Sequence, residues 1–139
     1  MDASPDEIPG FFDQYGWRFE RRGLDLFLSG FSGESGRYEI WVRVADPWIY
    51  FTINPYVPRT DGREHGSNVH LLILQANHQL NMAKFALDSD GDVSLSVEMP
   101  TEGFTYSHFA DAMTALSVYA DEYRERFDEA CQEATGEVV

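Results

Sequence analysis

The stretch Arg37-Tyr38-Glu39-Ile40-Trp41-Val42-Arg43-Val44-Ala45-Asp46-Pro47-Trp48-Ile49-Tyr50-Phe51-Thr52-Ile53 carries two period-two patterns on either side of Asp46-Pro47. Over 37–45, Ile40, Val42 and Val44 share one side. Over 48–54, Ile49, Phe51 and Ile53 do the same. Alternation of this kind marks half-buried antiparallel strands. A hairpin centred on Asp46-Pro47 sets Ile40, Val42 and Val44 opposite Ile53, Phe51 and Ile49. Upstream, residues 24–31 place Leu24, Leu26 and Leu28 on one face. A hairpin centred on Glu34 sets these three opposite Val44, Val42 and Ile40. Both registers keep the aliphatics together, and a one-residue slip would reverse a strand's faces. The sequence therefore predicts a three-strand meander.

Outward from the meander, Ser4-Pro5-Asp6-Glu7 resembles a capping box with proline at the first helical position. Pro9-Gly10 interrupts it, which predicts a short helix ending near Gly16 with Phe12 and Tyr15 inward. Pro55 to Gly66 reads as a loop. Ser67 can cap a helix to about Asn81, with Leu71, Leu74, Leu80 and Ile73 as its apolar stripe. A second hairpin follows, in which Ala83, Phe85 and Leu87 face Val97, Leu95 and Val93 across Ser89-Asp90-Gly91. A three-residue loop ending in glycine suits a type I turn followed by a left-handed residue. Thr105 caps a long last helix, with Phe104 and Phe109 placed as a hydrophobic staple. Its stripe is Phe109, Met113, Leu116, Ala120, Tyr123, Phe127 and Ala130. Helix, three strands, helix, two strands, helix is an α+β layer fold on an antiparallel sheet. With 139 residues the expectation is one domain over 1–139, frayed at about 1–5 and 134–139. A chain of that size buries a core without staples.

Acidic residues outnumber basic ones by 24 to 10, for a formal charge of -14. Phosphate binding needs a cationic footprint, so direct nucleic-acid contact is not expected. Anionic membranes repel such a chain as well. The acidic start lacks the cationic and apolar segments of a secretory signal. Leu71-Leu72-Ile73-Leu74 is far short of a membrane span. The single cysteine, Cys131, fits a reducing cytoplasm.

Chemical constellations are missing. Asp88-Ser89-Asp90-Gly91-Asp92 places its glycine fourth, where a helix-loop-helix calcium site needs it sixth, and Met99 falls on the twelfth position. His65, His70, His78 and His108 form no pair at helical metal-binding spacing. Gly30-Phe31-Ser32-Gly33-Glu34-Ser35-Gly36 joins two antiparallel strands and has no phosphate-loop lysine. Cys131 sits among carboxylates, which raise a thiol's pKa. No enzyme, catalytic residue, metal or cofactor is expected.

The far side of the meander is more informative. With the aliphatics inward, Phe27, Phe31, Trp41, Arg43, Trp48 and Tyr50 point away from the core. Phe27 lies opposite Trp41, and Arg43 opposite Tyr50. The second hairpin turns out Lys84, Ala86, Ser94, Ser96 and Glu98, so one end of the sheet is greasy and the other polar. Either a helix of the same chain covers these aromatics, or they form a homodimer seam or a groove for a partner polypeptide, as aromatic patches containing arginine do. Asp121, Glu125, Glu129 and Glu133 recur every four residues on the last helix. Like charges at that spacing oppose the helix, and they could guide a basic partner.

Asn77-His78-Gln79-Leu80, Phe85 through Leu95, Met99-Pro100 and Gly103 before a long amphipathic helix resemble the YbjN family, best over residues 66–127. That resemblance implies a fold like the type III secretion chaperones. It further implies a small cytoplasmic homodimer that binds other proteins without ATP, with associations to regulation and stress responses. It brings no catalytic residues. The reading is a non-enzymatic, chaperone-like or adaptor-like module. Its unidentified client would have a basic surface and a role in stress or nucleic-acid handling. The alternative is a sensory domain for a small ligand or calcium, built on Asp88–Asp92 and on Arg59, Arg63 and His65.

Overall fold

The computed structural model describes residues 2–59 and 64–136, with helical side chains followed to residue 132. A 3-10 turn, Pro5–Glu7, leads into α1 (Ile8–Tyr15). Then come β1 (Phe19–Arg21), β2 (Leu26–Ser32), β3 (Arg37–Ala45), β4 (Trp48–Val57) and α2 (Ser67–Gln79). Next are β5 (Ala83–Leu87), β6 (Val93–Pro100) and α3 (Tyr106–Gly136). The six strands form one antiparallel sheet in the order β1-β2-β3-β4-β6-β5. This is the expected mixed α+β fold with one strand more, since β1 has only three residues and leaves no periodic signal.

Pro9 falls in the first turn of α1, where its missing N–H has no intrahelical acceptor to reach. The helix therefore runs through Pro9-Gly10 and stops at Gly16, with Phe12 buried. The Ser4 side chain makes no cap bond. Ahead of it, Asp2 pairs with Glu102, and Ala3 donates to Thr101 O at 2.9 Å.

Two registers match expectation. Val42 faces Phe51 and Arg43 faces Tyr50 between β3 and β4. Phe85 faces Leu95 between β5 and β6, and Gly91 takes a left-handed φ of +84°. The β2–β3 register is one residue off: Phe27 faces Val42 and Leu28 faces Trp41. Gly33 N–H donates to Gly36 O at 2.8 Å, so the tip holds Glu34 and Ser35, an even loop not centred on Glu34. The slip exchanges the faces of β2. Phe27 is fully buried, Leu26 and Leu28 lie on the other side, and Leu24 is 87% exposed. Phe31 also turns inward, stacked on Tyr38 at 5.1 Å and tilted against Trp17 at 5.5 Å.

Part of the expected 55–66 loop is strand, because β4 continues to Val57 across an irregularity after Ile53. Residue 63 of that loop lies outside the described residues. Gly66, not Ser67, is the N-cap of α2. The buried face of α2 is Val69, Ile73 and Ala76, while Leu71 and Leu74 are exposed. Asn77 sets this rotation. Its Oδ1 accepts from Phe85 N–H at 2.8 Å, and its Nδ2 donates to Phe85 O at 2.9 Å. Both outward backbone groups of Phe85 on the edge strand β5 are thereby satisfied.

In α3 the expected stripe is buried along its whole length, from Phe109 to Ala130. Thr105 stands just before the helix, and its N–H donates to His108 Nδ1 at 3.1 Å, one half of a capping box; its hydroxyl meets the Ser107 hydroxyl and His108 Nδ1 in place of the backbone N–H that a cap would satisfy. Phe104 and Phe109 are both buried, with Phe11 and Phe51 in ring contact with each. The core lies between the helices and one face of the sheet. Among the described residues, ring contacts from helix to sheet reach its inner residues Phe19, Phe51, Tyr56 and Phe85.

Candidate functional site

Among the described residues no helix packs on the opposite face of the sheet. Strand pairing arranges it in rows. One row runs Leu28, Trp41, Thr52, Ser96, Lys84, and the next runs Leu26, Arg43, Tyr50, Glu98. Ala45, Trp48 and Pro100 make a third, shorter row. Leu26, Trp41, Arg43, Ala45, Tyr50 and Thr52 line a shallow depression of about 520 Å³. Trp41 and Tyr50 are half-buried there, and Trp48 is 43% exposed at the margin. The Arg22 guanidinium lies 5.9 Å from the Trp41 ring centre and pairs with Glu20 at 2.9 Å. At the other end Lys84 pairs with Glu98 at 2.5 Å. One end is greasy and the other polar, as the alternation predicts.

Of the six residues expected to share this surface, Trp41, Arg43, Trp48 and Tyr50 do. Phe27 and Phe31 do not, because the even turn puts both on the interior face. Leu26 and Leu28 take their places. The signal that would have found them is the turn length, since apolar residues occupy both faces of β2.

The acidic row on α3 is not a single feature. Asp121 accepts from Glu34 N–H at 3.1 Å, from Ser35 N–H at 2.7 Å and from the Ser35 hydroxyl. The Ser35 hydroxyl first, then these N–H groups, hold its carboxyl below the usual range. Glu125 and Glu129 are exposed, and the Glu133 side chain lies outside the described residues. Arg124 pairs with Asp128 at 2.7 Å and donates to Tyr56 O at 2.8 Å.

In the second hairpin Asp88 Oδ1 accepts from Asp90 and Asp92 N–H, both at 2.9 Å, and Asp88 Oδ2 from Asn54 at 3.0 Å. Burial opposes the charge, but Asn54 and the turn's N–H groups outweigh it and lower the Asp88 pKa. Carboxylate oxygens of Asp88, Asp90 and Asp92 lie within 4.8 Å of one another, and that of Asp88 closes the turn. Arg59 N–H donates to Asp92 Oδ1 at 2.6 Å. His70 and His78 are exposed on α2. Burial, more than nearby carboxylates, pushes the Cys131 thiol up. Among the described residues no helix is long and apolar enough to cross a membrane.

Solved structures share this layering at low identity. YbjN of E. coli, described as a "putative transcription regulator", matches at 16% identity and TM-score 0.65, covering 89% of this chain and 93% of that one. The heterodimeric ExoU-SpcU complex of the Pseudomonas aeruginosa type III secretion system matches at 17% and 0.58, covering 91% and 98%. The Yersinia pestis type III secretion chaperone SycH, in complex with a fragment of YscM2, matches at 14% and 0.56, covering 85% and 97%. These likenesses establish the fold, which is that of the secretion chaperones. A search of curated proteins finds no match. The sequence itself matches the model of one family, YbjN, described as "Putative bacterial sensory transduction regulator", over residues 4–129. That span takes in every strand and all of the packed helix layer up to the last turns of α3, so the chain belongs to the YbjN family.

Proposed function

We propose that this chain is a non-enzymatic protein-binding module, chaperone-like or adaptor-like, forming one domain over residues 1–139. It works in the cytoplasm as an acidic homodimer that binds a client protein. The observation that carries this reading is the open sheet face. Leu26, Leu28, Trp41, Trp48 and Tyr50 cluster around Arg43, where no helix of the described residues packs. An apolar surface of this composition is typical of association sites. The complexes named above, in which similar folds hold other polypeptides, support the same reading. The exposed acids of α3, Glu125 and Glu129, lie on the helix layer and would steer a client with a basic surface, of the kind that handles nucleic acid or responds to stress.

The test is a double substitution, Trp41→Ala with Trp48→Ala. Both rings stand outside the core, so the far-ultraviolet circular dichroism and the melting temperature should stay near wild type. Self-association or client capture should weaken about 10-fold or more, as for aromatic interface anchors. Unfolding of the double variant, or unchanged association and capture, would remove the surface from the argument.

A further inference from the structure

We propose that the cleft between α3 and the β2–β3 turn is where the client docks, and that it takes an extended basic segment: one apolar side chain with Arg or Lys two and four positions away. The inference rests on reading this chain as a binding module for a client with a basic surface, and it names the place and the motif.

The carboxylates of the cleft select the charge of its occupant. The cleft has a volume of about 610 Å³, and Phe31, Glu34, Val118 and Glu122 line it. Among the described residues lining it there is no Lys or Arg. Asp121, which also lines it, spends its carboxylate on the turn through Glu34 N–H, Ser35 N–H and the Ser35 hydroxyl. Glu34 and Glu122 are exposed, and their side chains make no ion pair or hydrogen bond among the described residues. The bonds to Asp121 hold Glu34 against the helix, so two unneutralised carboxylates flank one cleft. Like charges so placed repel, and a bound cation reverses the sign of that energy. A second copy, with 24 acidic residues against 10 basic ones, is a poor source of that cation.

The walls select the apolar part. Val118 is 52% exposed in mid-helix, and the Phe31 ring is half-buried on the sheet side of the cleft. Phe31 tilts against Trp17 at 5.5 Å, and Trp17 meets Tyr15 at 5.1 Å. Tyr15 in turn hydrogen-bonds Thr114 of α3 at 2.8 Å, so three half-buried rings run beside this helix. An aliphatic side chain of the client gains by lying on Val118 and Phe31. A guanidinium or ammonium gains twice, from the carboxylates and from a ring face within about 6 Å.

Spacing supplies the motif. Glu122, Glu125 and Glu129 follow Val118 along one exposed stripe of α3. At about 1.5 Å per residue they stand about 6, 10 and 16 Å from it. An extended segment turns every second side chain the same way, at intervals of about 6.6 Å. An apolar residue on Val118 therefore sets the residue two positions on over Glu122. The one four positions on falls between Glu125 and Glu129, so the steering acids continue the docking cleft.

A synthetic peptide, acetyl-Arg-Ser-Arg-Ser-Leu-Ser-Arg-Ser-Arg-amide, carries the motif in both chain directions and tests it. The dye-labelled peptide is titrated with the full chain at about 0.1 M salt and followed by fluorescence anisotropy, with circular dichroism as the folding control. The wild type should bind it, and Glu122→Lys should raise the dissociation constant about 10-fold or more. Glu39→Lys makes the same change of charge on the opposite face of the sheet and should leave it within about 2-fold. Ser in place of the peptide's Leu should weaken binding to the wild type about 10-fold, and should matter much less to Val118→Ser. No binding up to about 1 mM peptide, equal losses in the two Lys variants, or a Leu that contributes nothing would overturn the cleft. Client capture by the full chain is followed in parallel. A chain that holds a client and ignores the peptide overturns the cleft and leaves the binding-module reading standing. A chain that binds the peptide in the expected pattern but holds no client keeps the cleft as a basic-peptide site and removes that reading.

Discussion

Asp121 shows how much one carboxylate can decide. It stands on α3, yet all its bonds go to the β2–β3 turn, 86 positions away at Ser35. Gly33 permits the approach, since a Cβ there would lie 2.6 Å from Asp121 Oδ1. The turn's free N–H groups need an acceptor, and a carboxylate from the helix supplies it. Hydrogen bonding to the charged form pulls the Asp121 pKa down. The stabilisation is therefore complete above the ordinary carboxylate value of about 3.9 and is lost as pH falls through the lower folded value. Asp121→Asn should lower the melting temperature at neutral pH, and the gap to wild type should close as the pH drops below about 4. Melts from pH 2 to 7 check this, and a gap that stays constant with pH would remove the proposed latch. From sequence alone Asp121 is one member of an acidic row with four-residue spacing. The turn it holds is too distant along the chain for any local pattern to announce.

At the scale of elements, the meander was half legible for the same reason. β3, β4, β5 and β6 each keep Val, Ile, Leu and Met to one face, so alternation reads them correctly, and proline or glycine marks their turns. β2 is apolar on both faces, with Leu26 and Leu28 on one and Phe27 and Phe31 on the other. Period two then chooses nothing. The choice falls to the even turn that Asp121 closes, and to Phe19 on β1, whose ring tilts against Phe27 at 6.2 Å and stacks on Phe12 at 4.9 Å. A three-residue strand has too short a pattern to be foreseen. Helix α2 has a similar ambiguity, with leucines around most of its girth. Asn77, reaching the edge of β5, decides that Ile73 and Ala76 are buried and Leu71 and Leu74 are not. Of the candidate surface, β3 and β4 supplied the legible residues and β2 the mistaken ones. The corrected register makes a sharp prediction. Phe27→Ala should cost about 3–5 kcal/mol, as for a fully buried ring. Leu24→Ala should change stability by less than about 0.5 kcal/mol. Urea unfolding of both variants measures the difference, and the reverse order would restore the register centred on Glu34.

For the whole molecule, the layers divide the charge. The sheet's outer face is close to neutral, while the acids of α3 stand on the opposite side of the core. A dimer built on the sheet faces would be four layers deep, helices outside and sheets within, and would display its acidic surface outward. Self-association and client binding then respond to salt with opposite signs. Between about 0.1 M and 1 M salt the screening length falls from about 10 Å to about 3 Å. Two copies of net charge -14 repel less as salt rises, and an apolar seam is not weakened by screening. The dimer should tighten. A client drawn by its basic surface loses its steering over the same range, so its association rate and its affinity should fall. Sedimentation and client-capture assays on the same salt series separate the two surfaces. If both interactions moved in the same direction, one face would have to serve both, and the division of labour between sheet and helix layer would fail.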